Sequence, residues 1–297
     1  MRRWHAAFAA IALAGACLVI PQPARAGTLS LEPLRSEVTI QPGEATSGQL
    51  TVRNGSQLPA TVTFSAEAFS VVDEAYNYDF DPDAAITRWV QFSQPKFDLK
   101  PGETRKVDYA IGAPTDAEPG GKYFALIAAL ETQDSNADGI NPVQRAASLV
   151  YMTVPGAITK QGQLKRLDVP HWTRQSPVSW SLSLSNTGSV HYRSRLTLTT
   201  RDIFGRVMAQ AEYEHLILPN TVRFVSGTAD LGSWPGIYQL QYMVGLGDVP
   251  ATRASRWVVY TPLGPTALLI GLFAAMAIVG LRWRRKRTTE SGGPRYK

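Results

Sequence analysis

Between residues 27 and 261 no stretch of the sequence sustains an apolar 3.6-residue period for a dozen positions. The chain runs instead in short segments rich in Val, Thr, Leu, Phe and Tyr. Val38-Thr39-Ile40, Leu50-Thr51-Val52, Thr61-Val62-Thr63-Phe64, Val107 to Ile111 and Tyr123 to Leu130 follow one another. Turn-forming groups such as Pro42-Gly43-Glu44, Asn54-Gly55-Ser56 and Pro101-Gly102-Glu103 cut them apart. β-Branched and aromatic side chains suit a half-buried pleated surface, and Gly, Pro and Asn supply the backbone angles that turns need. Strands at this spacing predict an all-β sandwich with Greek-key connections.

A weak repeat predicts two such modules. Leu50-Thr51-Val52-Arg53-Asn54 resembles Leu182-Ser183-Leu184-Ser185-Asn186, each an alternating strand that ends in Asn at a Gly-containing turn. Each copy later carries a Pro-Gly step before a Tyr strand, at Pro119-Gly120-Gly121-Lys122-Tyr123 and at Pro235-Gly236-Ile237-Tyr238. The division is placed near Gly156, giving immunoglobulin-like modules over 27–157 and 158–261.

The ends read differently. Residues 1–26 have a basic start, an apolar run from Ala6 to Ile20 and the small-x-small step Ala24-Arg25-Ala26. That is the pattern of a secretory signal cut between Ala26 and Gly27. The only cysteine, Cys17, lies inside it, so the mature chain is expected to have no thiol or disulfide chemistry. Residues 263–281 contain no charge and, at about 1.5 Å per helical residue, match a bilayer core about 30 Å thick. We expect one transmembrane helix over 262–281 and a basic cytoplasmic tail over 282–297. Arg282, Arg284, Arg285, Lys286 and Arg287 would hold that end inside, which places the body outside a plasma membrane.

These ends also explain the charge. The whole chain is +6, but residues 27–261 are −3: the first module carries −8 and the second +5. A body of that charge excludes a nucleic-acid-binding role.

Residues 36–131 resemble the N-terminal domain of the WxL-interacting protein family of Gram-positive surface proteins. The resemblance is carried by Gln41-Pro42-Gly43-Glu44, Val52-Arg53-Asn54, Trp89-Val90, Leu99-Lys100-Pro101-Gly102-Glu103 and Ala113 to Gly120. In the second module Phe204-Gly205-Arg206-Val207 and Leu218-Pro219-Asn220-Thr221-Val222-Arg223 are similar. The resemblance implies cell-wall peptidoglycan or other glycan as ligand of the first module, and another surface protein as partner of the second.

Little in the sequence suggests catalysis. His171, His191 and His215 lack the close spacing of zinc ligands, and Ser93-Gln94-Pro95-Lys96 matches a penicillin-recognising motif by letters only, since Pro95 breaks the helix that motif needs. Asp134, Asn136 and Asp138 match the first half of a calcium loop, although its twelfth position is Arg145 rather than Glu. No other cofactor is expected. Asn54-Gly55-Ser56 fits an N-glycosylation acceptor. Tyr76, Tyr78, Asp79, Asp81 and Trp89 crowd one segment, a combination able to stack on sugar rings and hold hydroxyls. The expectation is a non-catalytic, single-pass surface binding protein. The alternatives are a periplasmic-chaperone-like sandwich that accepts a partner strand, and an envelope glycan hydrolase.

Overall fold

The computed structural model describes residues 29–132 and 143–290. The proposed cleavage site at Ala26 and Gly27 and the calcium-like group Asp134, Asn136 and Asp138 lie outside the described residues. The first ten strands are β1 (Leu29–Glu32), β2 (Arg35–Thr39), β3 (Ala45–Asn54), β4 (Ala60–Val71), β5 (Tyr78–Asp81), β6 (Val90–Phe92), β7 (Lys96–Leu99), β8 (Thr104–Gly112), β9 (Gly120–Thr132) and β10 (Val143–Val154). A 3-10 turn, Ala85–Trp89, leads into β6. Eight more follow: β11 (Gly162–Asp168), β12 (Trp172–Thr173), β13 (Val178–Asn186), β14 (Tyr192–Asp202), β15 (Val207–Ile217), β16 (Val222–Ala229), β17 (Gly236–Leu246) and β18 (Val249–Tyr260). Helix α1 (Leu263–Glu290) ends the described chain.

Two immunoglobulin-like sandwiches result. In the first, the sheet β1-β3-β8-β6 faces the sheet β2-β10-β9-β4-β5, with β7 also on β4. In the second, β11-β13-β16 faces β12-β18-β17-β14-β15. Both modules open with the same manoeuvre. Their first strand pairs antiparallel in one sheet, and the chain then crosses to lie parallel to the last strand of the other: β2 beside β10, and β12 beside β18. Strict alternation drives the layering. Along β14 every even residue from Tyr192 to Asp202 is buried while Arg193, Arg195, Thr197, Thr199 and Arg201 face outward. Each module has its own core, built on Leu50, Ile111, Phe124 and Leu126 in the first and on Trp180, Leu182, Leu198 and Tyr242 in the second. A fully buried aliphatic side chain of this kind contributes about 1.5–3 kcal/mol.

The repeated Asn ends its strand in both modules because it ties three chain segments together. Asn54 is completely buried and its Nδ2 donates to the carbonyls of Leu58, Leu99 and Lys100 at 2.9–3.3 Å, while its Oδ1 accepts from the Ser56 N–H. Asn186 repeats this with the carbonyls of Val190 and Ile217 and the Gly188 N–H. Each Asn carbonyl also accepts from a left-handed residue, Gly102 (φ 73°) or Asn220 (φ 58°), in a Pro-containing turn. Only Gly and Asn take that region readily. This corrects the glycosylation reading: an amide nitrogen buried against three carbonyls is no acceptor for a sugar.

Helix α1 is apolar over Leu263–Trp283 and long enough to cross a membrane, and none of its apolar stretch is buried among the described residues, although Pro265 in its first turn borders a groove with Ser176, Pro177 and Tyr260. The backbone of α1 stays helical to Glu290, beyond the expected span 262–281 and into the basic stretch that begins at Arg282. Arg and Lys are good helix formers, so nothing in that stretch stops the backbone.

Candidate functional site

The aromatic group singled out in the sequence divides between two places. The β4–β5 hairpin turns at residues 72–77, closed by Val72 N–H to Asn77 O at 3.0 Å, with the Asp73 carboxylate accepting from the side-chain and backbone N–H of Asn77. Those hydrogen bonds hold the Asp73 carboxyl below its usual range. The turn puts Tyr76 in a left-handed conformation (φ 67°) and aims it at the second module.

Tyr76 is 7% exposed. Its hydroxyl accepts from Leu218 N–H at 2.9 Å and donates to Thr221 Oγ1 at 2.7 Å, and Thr221 Oγ1 donates in turn to the Leu218 carbonyl at 2.8 Å. The Arg223 guanidinium sits 4.2 Å from the centre of the ring. Tyr78 stands edge-on to Phe69, 5.0 Å between centroids, in a cluster that includes Tyr151, Ile127, Leu216 and Leu218. Burial pushes the Tyr76 phenol up, with the Thr221 and Leu218 bonds opposing it. Tyr76 and Tyr78 therefore build the seam between the modules, and the ring of Tyr76 is covered rather than open to a sugar.

The other candidates sit elsewhere. Asp79 and Asp81 are exposed on one face of the edge strand β5, and Asp81 Oδ1 accepts from Asp83 N–H at 2.9 Å. Trp89 is half-buried against the first core, apart from the seam cluster. It does wall an open groove of about 640 Å³ shared with Glu44, Arg88 and Gln91. Among the described residues no three His, Cys, Asp or Glu side chains gather as a metal site would need.

The seam recruits residues with no motif to announce them. Glu74 accepts from Phe224 N–H at 2.8 Å, and Ser189 O accepts from Gly121 N–H at 3.1 Å, so backbone bonds cross between modules. Arg193 pairs with Glu37 of the first module and Glu214 of the second. The Tyr123 hydroxyl accepts from His191 N–H at 3.0 Å and shares a second hydrogen bond with His191 Nδ1 at 3.2 Å. Desolvation lowers the His191 pKa; Glu37 opposes that while Lys160 and Arg193 add to it. Gly121 makes this possible, since a Cβ there would lie 1.9 Å from the Tyr123 hydroxyl.

One edge of the first module has a stretch with no partner strand among the described residues. β10 pairs with β9 along all twelve of its residues but with β2 only from Leu149 to Thr153. Leu149 N–H bonds to Leu34 O and Thr153 O accepts from Ile40 N–H, so the odd residues of β10 point away from β9. Val143, Arg145 and Ala147 share that direction, and no strand among the described residues pairs with them. Val143 is half-exposed, and Arg145 is paired with Glu67 on the sheet face. β15 is also an edge, but Glu212 and Glu214 line its solvent face and a bulge lies opposite it at Thr200/Arg201, features that discourage strand addition.

No protein-family model and no curated protein matches the sequence. Solved structures with similar chains include the class 5 fimbriae chaperone CfaA, 10% identical over 78% of this chain and 99% of that one, at a TM-score of 0.41. A chain of the CsuC–CsuE chaperone–tip adhesion subunit pre-assembly complex from Csu pili of Acinetobacter baumannii is 14% identical over 67% and 89%, at 0.36. A chain of the Salmonella enterica SafA pilin complex with the SafB chaperone is 13% identical over 78% and 96%, at 0.37. At these identities and scores the likeness carries no functional weight.

Proposed function

We propose that the protein is a non-catalytic, membrane-tethered binding protein whose first module takes an extended segment of another envelope protein along the open edge of β10. The observation that carries this is the row of backbone donors and acceptors at Val143, Arg145 and Ala147, aimed away from β9 and paired with no strand among the described residues, although Leu29 N–H reaches the neighbouring Gln144 side chain at 3.1 Å. A peptide added there would gain main-chain hydrogen bonds from the sheet and contacts to alternate side chains. In this reading α1 crosses the membrane, the modules stand outside and the basic residues that follow lie in the cytoplasm.

The test is a photo-crosslinking residue in place of Val143 in the host's own membranes, with and without Ala147→Pro. Proline at 147 removes an amide donor that no described strand uses, so an added strand loses a bond, and circular dichroism of the variant checks that the sandwich and the seam cluster on which Ala147 packs survive it. An adduct that disappears with Ala147→Pro supports the reading; no adduct, or one indifferent to the proline, refutes it.

A second reading, glycan binding, is favoured by the groove beside Trp89, where Glu44, Arg88 and Gln91 could hold hydroxyls. Pelleting with peptidoglycan sacculi tests it. Arg88→Ala and Gln91→Ala should abolish pelleting, and both spare the core on which Trp89 packs.

A further inference from the structure

The second module and the helix are joined so closely that the end of one must lie beside the membrane entered by the other. β18 ends at Tyr260 and α1 begins at Leu263. Three residues span at most about 10 Å. Strand register identifies what else lies at that end. Tyr260 pairs with Gly236 on one side and Thr173 on the other, and Tyr238 pairs with Asp202. The turn at 203–206, the connection at 230–235 and strand β12 therefore flank the start of the helix.

This end is apolar where soluble proteins are polar. Phe204 is 82% exposed and Trp234 66%. Trp172, Val259 and Ile237 are adjacent in register across three strands, and all three are exposed, as is Leu263. The tips are not loose. Asp202 Oδ1 accepts from the N–H groups of Phe204 and Arg206 at 2.9 Å, which fixes the turn with Phe204 at its apex. The Trp234 carbonyl accepts from the Tyr238 hydroxyl at 2.9 Å. Arg174 lies over the Trp172 ring at 4.9 Å and Arg206 over the Phe204 ring at 5.7 Å. Aromatic rings flanked by guanidinium groups match the membrane–water boundary, where rings sit at headgroup level and arginines meet lipid phosphates.

We propose that this end of the second module docks on the lipid surface, with Phe204 and Trp234 inserted at the headgroup–acyl boundary around the base of α1. The module then stands in a fixed orientation on the membrane instead of swinging on the two-residue tether Thr261-Pro262. The proposal rests on the reading that α1 spans the membrane, and its test separates the two.

The full chain carrying Cys17→Ala, which removes its only cysteine, is reconstituted in phosphatidylcholine–phosphatidylglycerol vesicles. Single cysteines at Phe204→Cys, Trp234→Cys, Gln57→Cys and Leu272→Cys are spin-labelled, and collisions with oxygen and with a water-soluble nickel chelate are compared. Labels at 204 and 234 are expected to lose nickel accessibility and gain oxygen accessibility relative to position 57, as the label at 272 does. If 204 and 234 are as water-exposed as 57 while 272 is in hydrocarbon, docking is wrong and the span stands. If 272 is itself in water, the span fails and the docking with it. Both tip residues are exposed, so their replacement leaves the cores intact.

Discussion

Replacing Tyr76 by Phe removes one oxygen and keeps the ring, and its cost can be worked from the seam. The Tyr76 hydroxyl is one member of a closed circuit: Leu218 N–H to Tyr76, Tyr76 to Thr221, Thr221 to the Leu218 carbonyl. Without it Thr221 keeps its bond to Leu218 O, but the amide of Leu218, a residue only 3% exposed, loses its partner. An orphaned buried donor costs about 1–3 kcal/mol. For a protein of this size each kcal/mol moves Tm by about 2–4 °C, so Tyr76→Phe is expected to lower it by roughly 2–12 °C. Calorimetry of the full chain in detergent reads the shift, and hydrogen exchange reads the Leu218 amide directly. An unchanged Tm together with unchanged protection at Leu218 would refute the assignment of Tyr76 to the seam. A sugar-stacking role would leave both untouched, because the ring survives.

Three further outcomes follow from the same geometry. Asn54→Ala and Asn186→Ala should each destabilise their module by several kcal/mol, about 1–3 for every buried group left unpaired, and Asn→Asp should be worse because a carboxylate would face carbonyl oxygens; urea unfolding measures both. Gly121→Ala should drive Tyr123 from its place and expose the His191 amide to exchange, whereas Gly102→Ala, where a Cβ has open space and only the left-handed backbone resists, should leave the seam intact. The seam should also weaken in acid. His191 is held neutral with a pKa below its unfolded value of 6.5, so the unfolded chain binds more protons than the folded one as pH drops below that value. Stability is then full above about pH 6.5 and declines as pH falls toward the folded pKa. A stability–pH profile of His191→Gln that keeps the wild-type slope between pH 6.5 and 5 would exclude this histidine as its source.

The sandwich class was legible because it depends on local pattern: alternating strands such as β14, and turns marked by Pro-Gly or Asn-Gly, declare themselves within ten residues. The repeated Asn was legible as a repeat, though only the fold reveals its reason, three carbonyls converging on one buried amide. The helix was readable from its missing charges. The seam was not. Tyr76 meets Leu218 and Thr221 across more than 140 positions, and Glu37 meets Arg193 across 156, so no window of sequence brings them together. Tyr76, Tyr78 and the aspartates looked alike on paper because crowding in sequence ignores direction. In the fold the left-handed turn at Tyr76 sends that ring into the neighbouring module, and β5 leaves Asp79 and Asp81 in solvent.

One strand joins these properties. Ala147, Leu149 and Tyr151 of β10 pack in or against the seam cluster, and Val143, Arg145 and Ala147 form the open edge. A segment paired along that edge would end at Ala147, in contact with the residue that begins the seam. Its binding would therefore be coupled to how firmly the second module is held, since loosening the seam frees the outer face of the same strand. The outcome has a definite sign: Tyr76→Phe should weaken capture at Val143 although Tyr76 lies on a different hairpin. If capture is unaffected while Leu218 loses protection, edge and seam act independently, and β10 is only a shared scaffold.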